Sequence, residues 1–161
     1  MAIDKNTENS ATRQIDAPAK EIFDILSNPE RHSETDDSGM VVSADNGQRL
    51  EKVGDIFTMN MTKEDGDYQT KNEVFAFQED RIIGWKNVEN TTAEVTVGAK
   101  WLYELEPIDA DNTEVKLTYQ RDELEENLLG MSETFDDDFL AKSLDSLAAA
   151  VAGTDNPTQK G

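Results

Sequence analysis

The sequence has no cysteine, a single histidine and far fewer basic than acidic residues. The lack of cysteine excludes disulfides, thiolate metal sites and cysteine nucleophiles, and it is typical of a cytoplasmic protein. No apolar run approaches the length that a membrane-spanning helix needs, and residues 1–8 are polar, unlike a secretory signal. We therefore expect a cytoplasmic protein without membrane insertion.

The charge balance excludes further classes of partner. The chain of 161 residues carries 35 acidic and 15 basic residues, which gives a net charge of −20. Such a field repels the phosphate backbone of nucleic acids and the anionic surface of membranes, so we predict no nucleic-acid partner. A strongly solvated surface, adaptation to high salt and a basic partner protein are all compatible with this excess of acid.

Motifs that carry chemistry are scarce as well. The sequence contains no glycine-rich phosphate loop, nucleophile elbow or dinucleotide fingerprint. His32 lies in a polar segment, and we interpret it as a surface residue. Asp136, Asp137 and Asp138 stand where a helix is predicted to start, and the helix dipole accounts for them without a calcium site. We predict neither a metal nor a cofactor.

What the chain does contain is a series of short segments that alternate between apolar and polar residues. This period of two predicts strands over 9–16, 40–43, 55–62, 68–77, 81–86, 98–106 and 114–120. Pro107 is expected to end the sixth of these strands, and residues 88–96 are interpreted as a loop or an irregular edge. Strands separated by hairpin-length gaps indicate one antiparallel sheet.

Two segments have helical patterns instead. Pro18 is suited to the first turn of a short helix that ends before Pro29, and residues 29–32 are compatible with a second short helical turn. Near the C-terminus, Ser132 is a suitable N-cap and Gly153 a natural stop, with apolar residues recurring between them at three- and four-residue steps. A helix of about 20 residues is about 30 Å long, enough to cross a whole sheet.

The alternation of the strands and the apolar stripe of the long helix place large and adaptable side chains on the surfaces of sheet and helix that should face each other. These candidate ligand-binding residues are Phe57, Met59, Met61, Phe75, Phe77, Trp85, Trp101, Tyr103, Phe135 and Phe139. Such a lining suits a mostly apolar pocket, and methionine side chains adapt to varied ligands. The same side chains are also suited to filling an ordinary core, and periodicity alone favours that second interpretation.

The opening of the chain resembles a known family. Residues 12–31 form a strand, then an Ala17-Pro18 helix start, then a helix that ends in an Asn28-Pro29 turn. This arrangement is similar to the opening of the polyketide cyclase/dehydrase and lipid-transport family, which belongs to the START-related, birch-pollen-allergen-like superfamily. The motif is moderately specific for the fold and carries little information about chemistry.

The resemblance implies an α+β helix-grip fold over about residues 9–153. That fold is a curved antiparallel sheet of about six or seven strands around a long C-terminal helix, with two short helices after the first strand. We expect a single domain over these residues and flexible tails at 1–8 and 154–161. The chain departs from many relatives at residues 32–36, where tryptophans are common in the family.

The resemblance also implies a small hydrophobic molecule, lipid-like or polyketide-like, as the ligand in a cavity between sheet and helix. It allows two alternatives, a protein-interaction module like the heat-shock ATPase activators and a polyketide cyclase/dehydratase-like enzyme. For an enzyme, Tyr103 is the first candidate to orient or protonate a carbonyl, with Asn60 as a hydrogen-bond donor. Glu73, if it faced inward, would need a partner such as Arg121.

Overall fold

The computed structural model describes residues 8–28, 41–45, 50–63, 66–92, 95–125, 129 and 135–155. These residues form, in chain order, β1 (Glu8–Ile15), α1 (Ala19–Leu26), β2 (Val41–Asp45), β3 (Ile56–Lys63), β4 (Gly66–Gln78), β5 (Ile82–Asn90), β6 (Val95–Asp109), β7 (Asn112–Gln120) and α2 (Asp137–Asp155). Neither of the helices described is long and apolar enough to cross a membrane.

The seven strands make one antiparallel sheet in the order β1-β7-β6-β5-β4-β3-β2. Strands β2 to β7 follow one another as a meander, whereas β1 pairs with β7 at the far edge, from Glu8 opposite Gln120 to Ile15 opposite Thr113. Helix α2 packs against β1 and β7, and α1 packs against α2. The predicted helix-grip arrangement, a curved sheet around a C-terminal helix, is confirmed.

The core lies between the helices and one face of the sheet, which we call the inner face. Each helix buries its apolar residues at three- and four-residue steps, and the sheet buries alternate residues of its strands. The buried apolar side chains include Ile22, Phe23 and Leu26 of α1, Leu140, Leu144 and Leu147 of α2, and Ile83, Leu105, Val115 and Leu117 of the sheet. Each such side chain contributes about 1.5–3 kcal/mol through removal from water.

Two predicted strand boundaries are wrong. Pro107 does not end β6, which continues to Asp109. The pairing with β7 shifts register directly after Pro107, so the strand accommodates a residue that has no N–H to donate. The segment 88–96, predicted as a loop or an irregular edge, is largely strand within the sheet where it is described, because β5 continues past a bulge after Asn87 to Asn90 and β6 begins at Val95. The bulge hides the alternation on which the prediction depended.

The predicted bounds of α2 are also wrong. The Asp136 carboxylate accepts a hydrogen bond from the Phe139 N–H at 2.9 Å, so Asp136 is the N-cap, and the helix continues through Gly153 to Asp155. The predicted cap, Ser132, lies outside the described residues. So do the predicted second short helix, His32 and most of both predicted tails, although β1 already begins at Glu8.

Candidate functional site

Strand pairing aligns the inward side chains in rows across the sheet. One row, the aromatic row, consists of Val74, Trp85, Trp101 and Tyr119 on four adjacent strands. The next row consists of Asn72, Asn87 and Ala99. Because neighbouring strands lie about 4.8 Å apart, aromatic and amide side chains are in direct contact on the inner face.

An aromatic cluster joins this face to the start of α2. The Trp101 ring lies 4.7 Å from Tyr119, 5.1 Å from Phe135 and 6.4 Å from Phe139, measured between ring centroids. The Phe135 and Phe139 rings meet edge to face at 5.1 Å. Edge-to-face pairs stabilise by about 0.5–1.5 kcal/mol beyond area burial, so these contacts hold the first turn of α2 against β6 and β7.

A second aromatic cluster centres on Trp85. Its ring lies 5.9 Å from Phe57 and 5.6 Å from Tyr103, while Phe77 meets Phe23 of α1 at 5.3 Å. Together the two clusters extend over the inner face from β3 to β7.

Burial divides the inner face into two halves. Beneath the helices, Ile83 and Leu117 are fully buried and Tyr103 is 4% exposed. Towards β3 and the start of α2, Met61, Trp85 and Trp101 stay partly exposed although they face inward. The described elements therefore leave an open apolar surface on this half of the sheet.

Polar side chains cross that surface in a continuous hydrogen-bonded chain. The Trp101 indole N–H donates to Asn87 Oδ1 at 2.8 Å, and Asn87 Nδ2 donates to Asn72 Oδ1 at 2.5 Å. Asn72, which is 2% exposed, donates from Nδ2 to the Thr70 carbonyl oxygen at 3.2 Å. We call Thr70, Asn72, Asn87 and the Trp101 indole N–H the amide belt. It satisfies polar groups that would otherwise be costly to bury.

A buried arginine lies beside the aromatic row. Arg121 is fully buried, and its guanidinium carbon lies 4.9 Å from the centre of the Tyr119 ring. Burial raises the pKa of Tyr119 to about 12, although the positive charge of Arg121 acts in the opposite direction. Tyr119 is therefore a neutral phenol at physiological pH. Glu73 is not the partner of Arg121, since it pairs with the 55% exposed Ile56 on the outer face.

The inner face and its helices hold every predicted ligand-binding residue except one. Phe57, Met59 and Tyr103 are buried in the core, and Met61, Phe77, Trp85, Trp101, Phe135 and Phe139 pack against it. Their role in ligand binding stays a prediction.

Phe75 is the exception, and the predicted face for it is wrong. A register shift between Val74 and Ala76 lets Phe77 point inward while the Phe75 ring lies on the outer face, where it covers Gly84 and the Lys100 ammonium lies 5.4 Å from its centre. A bulge inserts one extra residue, so strict alternation fails on either side of it.

The two residues proposed for an enzyme do not come together. Tyr103 lies deep in the inner face between Ile83 and Leu117, its neighbours across the sheet. Asn60 lies on the outer face, where its Oδ1 accepts a hydrogen bond from Gln69 Nε2 at 2.8 Å. Because Tyr103 and Asn60 lie on opposite faces of the sheet, they do not contact the same substrate.

Sequence reasoning missed Thr70, Asn72 and Asn87. The prediction that Phe75 and Phe77 face inward puts Thr70 and Asn72 on the opposite face, and the bulge between Val74 and Ala76 makes that placement wrong. One signal was present: Thr70 and Asn72 share the parity of Val74, which is fully buried. Taking Val74 as the inward reference would have placed both on the inner face.

The outer face carries charge instead. Lys100 forms an ion pair with Glu123, which also pairs with Lys86 at 3.0 Å. The hydrogen bonds from both lysines lower the pKa of Glu123. A depression of about 360 Å³ elsewhere on this face is lined by Gln78, Arg81, Ile82, Glu104, Leu105, Glu106, Glu114 and Lys116. Its charged lining is unsuited to a hydrophobic ligand. Among the described residues no three acidic or histidine side chains are grouped to hold a metal ion.

Comparison with known proteins agrees with this architecture. No protein-family model matches the chain. An uncharacterized protein of Mycobacterium tuberculosis is 27% identical over 110 residues, which cover 68% of this chain but only 46% of that relative. The chain thus matches less than half the length of this relative.

Two solved structures have a similar fold. An aromatase/cyclase from a Streptomyces species superposes with a TM-score of 0.64 at 12% identity, covering 91% of this chain and 94% of that one. The major latex-like protein of ginseng, Panax ginseng, gives a TM-score of 0.61 at 15% identity, covering 89% of this chain and 96% of that one. The resemblance to the superfamily of polyketide cyclases and birch-pollen-allergen-like proteins is confirmed at the level of fold.

Proposed function

We propose that the protein binds one small hydrophobic molecule on the inner face of the sheet, between the aromatic row and the start of α2. The observation that supports this proposal is the set of inward aromatic side chains that stay partly exposed around the amide belt. Apolar lining with a few oriented polar groups is the usual composition of small-molecule sites. Binding takes place in the cytoplasm, the location that fits a chain without cysteine.

The proposal favours binding over catalysis. The polar groups of the inner site are amides, hydroxyls, an indole and the Arg121 guanidinium, none of which exchanges protons near neutral pH. Tyr119 is held protonated by burial, which suits a hydrogen-bond donor and not a general base. A lipid-like or polyketide-like molecule would have its apolar body against the aromatic rings.

The two tryptophans allow a direct test, because Trp85 and Trp101 are the only ones in the chain and both belong to the site. Titration with the neutral dye N-phenylnaphthylamine should quench tryptophan emission by energy transfer while dye emission rises and saturates. Native mass spectrometry of protein purified from its own host should also detect a bound small molecule. Absence of both saturable dye binding and a copurifying molecule would refute the proposal.

A matched pair of variants locates the binding to one face. Met61→Lys places a charge on the inner face at a partly exposed position, and Thr62→Lys places the same charge on the adjacent outward position. We expect Met61→Lys to weaken dye binding about tenfold or more, since a charge beside an apolar ligand must keep its hydration. Thr62→Lys should leave binding unchanged. Equal effects of the two substitutions would place the dye elsewhere.

A further inference from the structure

Asn87 lies at the centre of the amide belt, two residues after Trp85 on β5. Its amide is hydrogen-bonded to Trp101 on one side and to Asn72 on the other. Across the sheet it faces Ala99, a small and buried residue. Unlike Asn72, Asn87 is partly exposed, so it is the belt residue that a ligand on the inner face can reach.

The hydrogen bonds determine which way the Asn87 amide points. An indole N–H only donates, so the atom that faces Trp101 is Asn87 Oδ1. At the other end of the belt, backbone carbonyls of Thr70 and Phe57 only accept, and Asn72 turns its Nδ2 towards them at 3.2 and 3.4 Å. Asn72 Oδ1 therefore faces Asn87 Nδ2. Both ends of the belt require the same orientation of Asn87.

One of the two N–H bonds of Asn87 Nδ2 is thus committed to Asn72. The second has no hydrogen-bond partner within the described part of the chain, and the amide lies beside the Trp101 indole. When an apolar ligand displaces water from this N–H, the donor is costly to leave without an acceptor.

We infer that Asn87 determines ligand specificity by donating this second N–H to a carbonyl oxygen on an otherwise apolar, uncharged ligand. The inference rests on the proposed function, since it assigns the chemistry of the ligand in that same site. A neutral amide donor matches a ketone, quinone or acyl carbonyl. Without the donor, an apolar site would disfavour such a ligand, because its carbonyl would lose hydration without compensation.

Fluorene and fluorenone provide a matched pair of probes that share a rigid aromatic body and differ in one carbonyl group. Equilibrium dialysis of each probe against the full chain should show fluorenone bound about fivefold to tenfold more tightly, the range expected for one hydrogen bond. The carbonyl stretching frequency of bound fluorenone should also fall relative to that in an apolar solvent. This infrared measurement requires no variant.

Three variants separate the donor from its surroundings. Asn87→Leu removes the amide, Asn87→Asp keeps an acceptor for Trp101 while removing the N–H, and Asn60→Asp makes the same change on the outer face. We expect the preference for fluorenone to vanish or reverse in both Asn87 variants and to persist in Asn60→Asp.

Fluorene binding reports on the proposed function, and the ratio of the two affinities reports on the inference. If both probes bind but the wild-type protein shows no preference or no infrared shift, the inference is overturned and the proposed function stands. A preference that survives in a folded Asn87 variant overturns it equally. If neither probe binds the wild-type protein, the inference is overturned, and the dye titration and native mass spectrometry decide the proposed function separately.

Discussion

Gly98 adopts a φ of +93°, and the chain after β7 passes directly over it. A Cβ at this position would overlap the carbonyl group of Glu123, and the Glu125 N–H donates to the Val97 carbonyl oxygen at 3.0 Å beside it. A residue without a side chain thus lets the segment after β7 lie against β6. That segment begins with the buried Arg121, so a single glycine helps to define one end of the inner site.

Gly98→Ala should lower the free energy of unfolding by at least about 3 kcal/mol, since it adds a backbone clash to left-handed strain. Gly54→Ala is the matched control, because Gly54 has a φ of +98° and, apart from its chain neighbours, no described residue has an atom within 4 Å of the position that a Cβ would occupy there. The control should lose only about 1–2 kcal/mol. Urea unfolding followed by tryptophan fluorescence measures both values. Equal losses would mean that the segment at Glu123 shifts away at no cost.

Among the helices and strands, α2 is joined to β1 by hydrogen bonds at its first turn. The Asp137 carboxylate accepts hydrogen bonds from the Ser10 N–H at 2.9 Å and from Asn9 Nδ2 at 3.1 Å, both on β1. One residue earlier, Asp136 caps the helix through the Phe139 N–H. Since Phe139 also contacts Trp101, the cap orients an aromatic side chain of the proposed site.

Asp136→Ala should lower the free energy of unfolding by about 1 kcal/mol, the usual cost of losing an N-cap. Asp138→Ala removes an equal charge from the same turn without removing a cap bond, so it should cost no more than about 0.5 kcal/mol. Chemical denaturation of the two variants provides the comparison. A loss for Asp138→Ala as large as that for Asp136→Ala would show that charge, and not the cap bond, stabilises this turn.

At the scale of the whole molecule, the dominant feature is the net charge of −20. Several ion pairs on the described surface, such as Arg13 with Asp145 at 3.6 Å, are solvent-exposed and contribute little. Most carboxylates therefore repel one another without local compensation, which destabilises the compact state.

Salt should relieve this repulsion. Raising KCl from about 0.1 M to about 1 M shortens the screening length from about 10 Å to about 3 Å. We expect the thermal midpoint to rise by at least about 3 °C, which corresponds to roughly 1 kcal/mol for a chain of this size. At pH 5, where some carboxylates are protonated, the same salt step should have a smaller effect. A thermal midpoint that does not change with salt would indicate that repulsion between the carboxylates does not destabilise the folded protein.

The sequence alone predicted most elements, because alternation and helical spacing are local properties. It located the strands from β3 to β7, the start of α1 at Pro18 and the existence of a long terminal helix. It failed where the ladder is irregular: at the bulge beside Phe75, at Pro107 and after Asn87. A bulge depends on the partner strand, and local periodicity contains no information about that strand.

Hydrophobic patterning specifies which residues leave water, so the fold class and nearly all of the apolar inner face follow from the order of residues in the chain. Which polar residues join that face depends on how the strands pair. Asn72 and Asn87 look like ordinary solvent-facing strand residues until pairing brings them together beneath the Trp101 indole. Hydrogen bonds between side chains of different strands exist only after register is set, so the amide belt is a product of the fold and not of any local pattern.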